Sequence, residues 1–314
     1  MVPPDLNKLA RLRVKQSTLK EYDRALQVFI DWLPEDFDFE SAEEMDEKLN
    51  AFAHHTYEEQ DGNGLGLVDK VKSGLEFYFP ELMHNLPRST ISLQGWRKVH
   101  ETKSHGVCPQ EAAFLIADDL RRHGQMDAAT AVLLLFDTYM RISDLKILKV
   151  SSVMILDLEQ EDLPHYAVCH VSVSKTNRNE TIMVRPKYLA ILLERWKMRR
   201  SWTVGGQGKL LGIHENTLRN KIAEAATRLG LASLSITPHT LRYGGATTDK
   251  IQGKMTDSEI QTRGRWENAR TMRQYVQIAR LMEQTALIPE PALRQGKEMI
   301  KNPYRAFGVD QDSG

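Results

Sequence analysis

One short stretch sets two phosphate-binding side chains at helical spacing. The segment TPHTLRYGGAT, residues 237–247, places His239 and Arg242 one turn apart, just after Pro238. Proline suits the first turn of a helix, so the positive end of the helix dipole would lie beside both side chains. Histidine can carry a proton, and arginine offers a forked pair of N–H donors. An isolated pair of this kind is more typical of a solvated helix surface, so the tetrapeptide HTLR needs support from elsewhere in the chain.

A second arginine follows a strongly apolar segment. Arg141 stands in TYMRISDLKILKV, where a charge next to buried sequence needs a partner, either an internal acid such as Asp144 or a bound anion. Further along, GRWENARTMRQYVQ contains Trp266 and, nine residues later, Tyr275. These residues strengthen the anion-binding interpretation of the first stretch.

Hydrophobic periodicity in the first 100 residues predicts a small helical domain. Amphipathic helices are predicted over residues 17–33, 42–57 and 66–79, after a basic arm that extends from Lys8 to Lys20. The polar stretch that follows, residues 98–110, contains glycine and proline and predicts a linker.

The second half of the chain changes pattern twice. Apolar helices are predicted over residues 110–124 and 126–140, and then VMILDL, HYAVCHVSVS and TIMVRP predict a short antiparallel sheet with a hairpin. Helical patterns return from Lys187, with a last helix over residues 269–283. Residues after about Ile288 lack strong periodicity and are predicted to form a tail that docks elsewhere or stays mobile. The fold class is therefore mainly α with a small antiparallel β-sheet.

Composition limits the class of protein. The 314 residues carry 42 basic and 42 acidic side chains, and no apolar run approaches the length of a membrane span. No signal peptide is visible, so we expect an intracellular protein without a membrane partner. The two cysteines, Cys108 and Cys169, are far apart and support neither a disulfide framework nor a zinc site, and no metal site is predicted. The zero net charge hides basic clusters that could hold phosphates locally.

Taken together, the motifs resemble the tyrosine recombinase (phage integrase) family over roughly residues 109–285. The resemblance lies in three motifs: Arg141-Ile142-Ser143-Asp144-Leu145, His239-Thr240-Leu241-Arg242, and Trp266 with Tyr275. Lys175 occupies the hairpin position of the family's mobile lysine. Two positions depart from the pattern. Tyr139 replaces a frequent glycine, and Arg265 separates Gly264 from Trp266, so that Arg265 is a second candidate for the motif position assigned to Trp266.

The resemblance implies a metal-independent and ATP-independent exchange of DNA strands, with no cofactor. Tyr275 would attack the scissile phosphorus to give a 3′-phosphotyrosyl enzyme and a free 5′-hydroxyl. Arg141 and Arg242 would stabilise the charge of the transition state. Lys175 would act as general acid, and His239 would carry a proton or bind a phosphate oxygen. Trp266 would donate a hydrogen bond, and Asp144 would orient Arg141 or the fold around it.

The same resemblance predicts the partners and the domains. Residues 1–105 would form a helical DNA-binding domain, residues 106–287 an α+β catalytic domain, and residues 288–314 the tail, which could pack on a neighbouring protomer. Double-stranded DNA and a homo-tetramer on two DNA sites are the implied partners, and the protein would be found with DNA in the nucleoid or nucleus. The predicted DNA contacts are Arg11, Arg13, Lys15, Arg178, Arg199, Arg200 and Arg265.

Several functions share such a site. The leading hypothesis is a site-specific recombinase or integrase, with a mobile element as one source. A type IB topoisomerase, a hairpin-forming telomere resolvase and a catalytically silent DNA-binding protein derived from a recombinase stay open. A metal-dependent nuclease is disfavoured because no acid cluster with metal-ligand spacing accompanies the basic residues.

Overall fold

The computed structural model describes residues 7–100, 106–156, 166–171 and 180–309. The chain divides into two compact units, with the boundary between Ser104 and His105. The predicted site residues Lys175 and Arg178 lie outside the described residues. No helix within the described ranges is both long enough and apolar enough to cross a bilayer.

The first unit is helical, as the periodicity predicts. Its described helices are α1 (Lys8–Arg11), α2 (Gln16–Trp32), α3 (Ala42–Glu59), α4 (Leu65–Tyr78) and α5 (Pro87–Val99). The apolar stripes of the four longer helices meet in one core, which includes Leu26, Phe29, Leu49, Leu75 and Leu93. The predictions for α2, α3 and α4 are confirmed, whereas α5 lies in a stretch for which no helix is predicted.

The start of α5 depends on a residue from another helix. Leu86, which precedes the helix, makes no side-chain cap. Instead the buried carboxylate of Asp46, on α3, accepts hydrogen bonds from the backbone N–H groups of Arg88 at 2.7 Å and Ser89 at 2.9 Å. Since this cap comes from more than forty residues earlier, the local sequence carries little signal of it.

The second unit is mainly α-helical with one small antiparallel sheet, as predicted. The sheet has the order β1-β2-β3 and consists of β1 (Val153–Leu156), β2 (Tyr166–Val171) and β3 (Glu180–Val184). Val153 pairs with Cys169, and Val168 pairs with Met183. The described helices are α6 (Gln110–Arg122), α7 (Met126–Thr138), α8 (Ile142–Ile147), α9 (Lys187–Val204), α10 (Glu215–Arg228), α11 (Pro238–Ile251), α12 (Asp257–Gly264), α13 (Ala269–Tyr275), α14 (Ile278–Ala286), α15 (Glu290–Lys301) and α16 (Pro303–Ala306).

Two adjacent glycines let α11 approach its neighbours very closely. A Cβ at Gly244 would lie 2.0 Å from the carbonyl oxygen of Cys108, and a Cβ at Gly245 would lie 1.9 Å from the carbonyl oxygen of Phe136 on α7. Both distances are far below van der Waals contact with backbone atoms, which cannot swing aside as a side chain can. The Gly-Gly pair beside the HTLR motif therefore serves helix packing and seats α11 against α7.

Replacing Gly245 with alanine is expected to destabilise the protein. The added methyl group collides with the α7 backbone, and overpacking of this kind typically costs about 1–3 kcal/mol. Urea unfolding followed by circular dichroism measures the loss. Gly95→Ala on the exposed face of α5 is the control, because nothing lies within 4 Å of a Cβ there and alanine favours helix. Wild-type stability in Gly245→Ala would contradict the close packing.

The C-terminal residues pack on their own unit. Met299, Phe307 and Val309 are buried in the core around α6, and the ring of Phe307 stacks on Tyr188 with 5.7 Å between centroids. Of the two outcomes predicted for the tail, docking or mobility, residues 290–309 show docking, on their own unit. The apolar residues of α15 follow helical spacing, with Gly296 and Met299 on the buried face, so the pattern is present in the sequence although no helix is predicted there.

Candidate active site

The turn between α7 and α8 has an unusual backbone at Tyr139. This residue has φ 51° and ψ 29°, the left-handed conformation that glycine adopts most easily, and it stands where the resemblance leads one to expect glycine. The conformation costs a tyrosine roughly 1–2 kcal/mol. Its side chain is fully buried, stacks on Trp266 and donates a hydrogen bond to Asp249. Burying a large aromatic side chain yields about 1.5–3 kcal/mol, which offsets the backbone strain.

Arg242 links this turn to the one that follows α12. Its side chain is buried; Nη1 donates to the carbonyl of Tyr139, and Nη2 donates to the carbonyl of Gly264 at 2.6 Å. Burial lowers the pKa of Arg242 to about 9, and the charges of Arg265 and Arg141 contribute to the decrease. The guanidinium is therefore still charged at neutral pH, but it lies in a place that disfavours positive charge until an anion arrives.

Several buried donors around Arg242 have no acceptor. Among the described residues they include Nη1 of Arg141, Nε of Arg242 and Nε1 of Trp266. An unsatisfied buried donor costs about 1–3 kcal/mol, so a native cluster of them calls for an explanation. Two guanidinium groups and an indole N–H together match an oxyanion, which accepts hydrogen bonds and carries the compensating charge.

The predicted aromatic residues lie beside these donors. Tyr275 is half-buried between the ring of Trp266, 4.6 Å away, and the ring of Tyr243, 4.5 Å away and nearly parallel. The ring of His239 lies 5.9 Å from that of Tyr275, and Cζ of Arg242 lies 5.3 Å from the Tyr275 ring. The structure thus brings together two predicted motifs from different parts of the sequence, His239 with Arg242 and Trp266 with Tyr275.

Tyr275 ends a helix where the sequence predicts a continuous one. The prediction of helix over residues 269–283 is confirmed except for a break, because α13 stops at Tyr275 and α14 begins at Ile278. The buried hydroxyl of Thr247, on α11, donates to the carbonyl of Tyr275 and accepts from the N–H of Gln277, both at 3.1 Å. Thr247 therefore satisfies both backbone groups at the break and fixes the end of α13. Nothing in the local sequence distinguishes Thr247 as the residue that makes these contacts.

Arg265 and Trp266, the two candidates for one motif position, contact different residues. Trp266 packs against Tyr275, which favours its assignment to that position. Arg265 adopts a left-handed backbone with φ 54° at the end of α12, and its guanidinium lies 3.4 Å from Asp144 and 3.2 Å from Glu180. With 12% of its side chain exposed, Arg265 lies among carboxylates, a setting different from the open surface expected of a DNA contact.

Asp144 contacts the backbone of the first arginine. Its Oδ2 accepts a hydrogen bond from the backbone N–H of Arg141 at 3.1 Å, at the start of α8. The contact is to the backbone of Arg141, and an orienting role of Asp144 stays a prediction. Glu180, at the start of β3, was missed in the sequence because a single acid in a hairpin has no distinguishing spacing.

The other predicted DNA contacts belong to other elements of the chain. Arg11, Arg13 and Lys15 are exposed on the first unit, and Arg13 lies over the ring of Phe77. Arg199 on α9 is exposed, whereas Arg200 donates to the carbonyl of Lys209 at 3.0 Å and so holds a local turn.

Comparison with known proteins matches this cluster to a family. The model of the phage integrase family matches residues 109–281, which is more than half of the chain. The chain belongs to the phage integrase family. The family match extends from α6 into α14 and includes every residue of the cluster described above.

Solved structures of integrases share the fold. A Tn1549 transposon integrase in complex with circular intermediate DNA is 15% identical, with a TM-score of 0.58 over 93% of this chain and 97% of that chain. A lambda integrase dimer bound to a COC′ core site is 17% identical, with a TM-score of 0.56 over 84% of this chain and 92% of that chain. A lambda integrase tetramer bound to a Holliday junction is 16% identical, with a TM-score of 0.56 over 84% of this chain and 73% of that chain. By sequence, no curated protein matches the chain.

Proposed function

We propose that this phage integrase family member is a site-specific DNA recombinase that cuts and rejoins strands through a 3′-phosphotyrosyl intermediate. The observation that carries the proposal is the set of buried, acceptor-free donors of Arg141, Arg242 and Trp266, of which Arg242 and Trp266 lie beside the ring of Tyr275. An oxyanion site next to a tyrosine is what the transfer of a phosphodiester to that tyrosine requires.

Charge stabilisation is the role proposed for the two arginines. In the transition state, negative charge builds up on the non-bridging oxygens, and guanidinium groups held in place beforehand stabilise it more than they stabilise the ground state. Arg242 is held by two backbone carbonyls, so its position needs no reorganisation when DNA binds. The Trp266 indole would donate one further hydrogen bond. No metal or nucleotide cofactor is part of this proposal.

Tyr275 is the proposed nucleophile. Its phenolic oxygen forms a bond to the scissile phosphorus, while the bond from phosphorus to the 5′-oxygen breaks. His239, whose ring lies near that of Tyr275, would take the phenolic proton or hold a phosphate oxygen, and Lys175 would protonate the leaving 5′-oxygen. Burial raises the pKa of the neighbouring Tyr243, which makes it the poorer candidate. Attack by another strand's 5′-hydroxyl would reverse the step and rejoin the DNA.

Double-stranded DNA is the proposed substrate, and the proposed assembly is a tetramer on two DNA sites. The protein would be located with the DNA of the cell. The fold shared with DNA-bound integrases supports this, among them a tetramer on a Holliday junction. The exposed basic residues Arg11, Arg13, Lys15 and Arg199 are proposed contacts to phosphates, which position DNA without reading its sequence. A mobile element is the proposed source.

A covalent trap tests this function. The protein is incubated with nicked duplexes whose sequence around the nick is randomised, so that cleavage releases a short fragment and religation fails. We expect an adduct that resists detergent and forms in EDTA without ATP. If the pool yields no adduct, the recombinase proposal fails, and DNA binding in that result would identify the catalytically silent alternative. Relaxed plasmid without recombinants would instead indicate a topoisomerase, and hairpin ends a telomere resolvase.

A further inference from the structure

The active site contains more guanidinium groups than its chemistry needs. Arg141, Arg242 and Arg265 lie in one cluster with two carboxylates, Asp144 and Glu180. Both carboxylates are within salt-bridge distance of Arg265, at 3.4 Å and 3.2 Å. In the part of the chain that the structure describes, no carboxylate oxygen lies within 4 Å of the guanidinium of Arg141 or Arg242. Both acids therefore lie beside Arg265 and not beside the guanidinium groups of the other two arginines.

This distribution of charge affects phosphate binding. A carboxylate and a phosphate compete for the same fork of guanidinium N–H groups, so a carboxylate paired with a phosphate-binding arginine would have to be displaced. Asp144 is fully buried and lies only three residues after Arg141, with its Oδ2 on the Arg141 backbone N–H. A buried carboxylate without a partner is strongly unfavourable, so Asp144 would pair with the nearest cation if its present partner were lost.

We propose that Arg265 is a positioning residue that holds Asp144 and Glu180 as its own counter-ions and so keeps Arg141 and Arg242 available to the scissile phosphate. This role rests on the proposed function. The left-handed backbone at Arg265 and the hydrogen bond from its Nη2 to the Tyr139 carbonyl, at 3.1 Å, fix the guanidinium beside both acids. Because Arg242 donates to the same carbonyl, Arg265 also lies next to the group that it serves.

A rescue experiment tests the counter-ion role. Arg265→Gln removes the positive charge that lies beside both acids. We expect it to slow adduct formation by at least about tenfold, measured with a saturating nicked duplex that the wild type cleaves. The reason is that a carboxylate then pairs with one or both phosphate-binding arginines. Adding Asp144→Asn and Glu180→Gln to Arg265→Gln removes the competing carboxylates, while the amide oxygen introduced at position 144 can still accept from the Arg141 backbone N–H. The triple variant is expected to recover most of the wild-type rate.

Two further measurements separate this role from simple loss of stability. Melting temperatures are recorded for all variants. The recovery of the adduct rate in the triple variant should be larger than its recovery of melting temperature accounts for. Arg263→Gln is the matched control, because Arg263 is another buried arginine on α12, paired with Asp137 at 3.0 Å. In the Arg263→Gln background, the same two acid substitutions should give no rescue. If Arg265→Gln is unaffected, or if the triple variant is as slow as Arg265→Gln, the counter-ion role is wrong.

A readout without DNA keeps this inference distinct from the proposed function. Calorimetric titration with inorganic phosphate should show weaker binding for Arg265→Gln than for the wild type, and restored binding for the triple variant. Should the wild type form no adduct with any duplex, the recombinase proposal fails, yet the order of phosphate affinities still decides the role of Arg265. Equal phosphate affinity in the wild type and Arg265→Gln would overturn it.

Discussion

Arg242→Ala is expected to lower the rate of covalent-adduct formation by about 10²–10³-fold, the range seen when one pre-positioned donor is removed from an oxyanion site. DNA affinity should fall much less, because the charge that Arg242 addresses develops mainly in the transition state. The rate is measured at saturating DNA in a single turnover, and the affinity by titration of labelled duplex. Parallel loss of binding and cleavage would contradict the role, since it would make Arg242 an ordinary DNA contact.

Stability must be separated from chemistry in this variant. Removing the Arg242 side chain leaves the carbonyl of Gly264 without this donor and the carbonyl of Tyr139 with Arg265 alone, and hydrogen bonds to charged groups are worth about 1.5–3 kcal/mol each. Arg242→Lys is the second variant, because it keeps the charge but loses the planar fork. We expect the lysine variant to be more stable than the alanine variant and to bind DNA, but to remain slow.

Tyr275→Phe is expected to abolish the adduct altogether. The substitution removes only the phenolic oxygen, so the stacking of the ring on Trp266 and Tyr243 is kept. The melting temperature and DNA affinity should therefore stay close to those of the wild type. A detergent-resistant adduct from this variant would refute the assignment of the nucleophile.

The neighbouring tyrosine supplies the matched control. Tyr243 stacks on Tyr275 with 4.5 Å between ring centroids, and burial raises the pKa of its hydroxyl, which disfavours the phenolate. Tyr243→Phe makes the same chemical change one ring away. It should still form the adduct, with a rate within several-fold of the wild type.

Local patterns in the sequence were sufficient for much of the fold. The helices α2, α3 and α4 and the three strands carry their own periodicity, and each is confirmed. By contrast, α5 receives its cap from Asp46, on a different helix, and its beginning is therefore invisible locally. The helix α15 was missed although its apolar residues follow helical spacing and bury Met299.

The candidate site also contains residues that local sequence predicts and residues that it does not. Motif spacing identified Arg141, His239, Arg242, Trp266 and Tyr275, and the structure gathers the last four around one ring cluster, with Arg141 close enough to influence the pKa of Arg242. Thr247, Glu180 and the partners of Arg265 could not be predicted, because their importance arises from contacts between segments that are far apart in sequence. The break after Tyr275 depends on one hydroxyl of α11, and no property of residues 269–283 announces it.

Two departures from the family pattern also became clear only in three dimensions. Tyr139 and Arg265 both have positive φ, although neither is glycine. Tyr139 compensates by burying its ring and hydrogen bonding to Asp249, and Arg265 compensates through its carbonyl and carboxylate partners. A sequence motif records the loss of a glycine, but the interactions that compensate for it require coordinates.

Locating the nucleotide in the trapped adduct tests the central claim most directly. Trypsin cleaves after Arg273 and Arg280, so Tyr275 falls in the peptide 274–280, whereas Tyr243 falls in the peptide 243–250. Mass spectrometry of the digested adduct, after nuclease trimming, should find a 3′-linked nucleotide phosphate on Tyr275 alone. A nucleotide on Tyr243, or on any residue outside 274–280, would contradict the account.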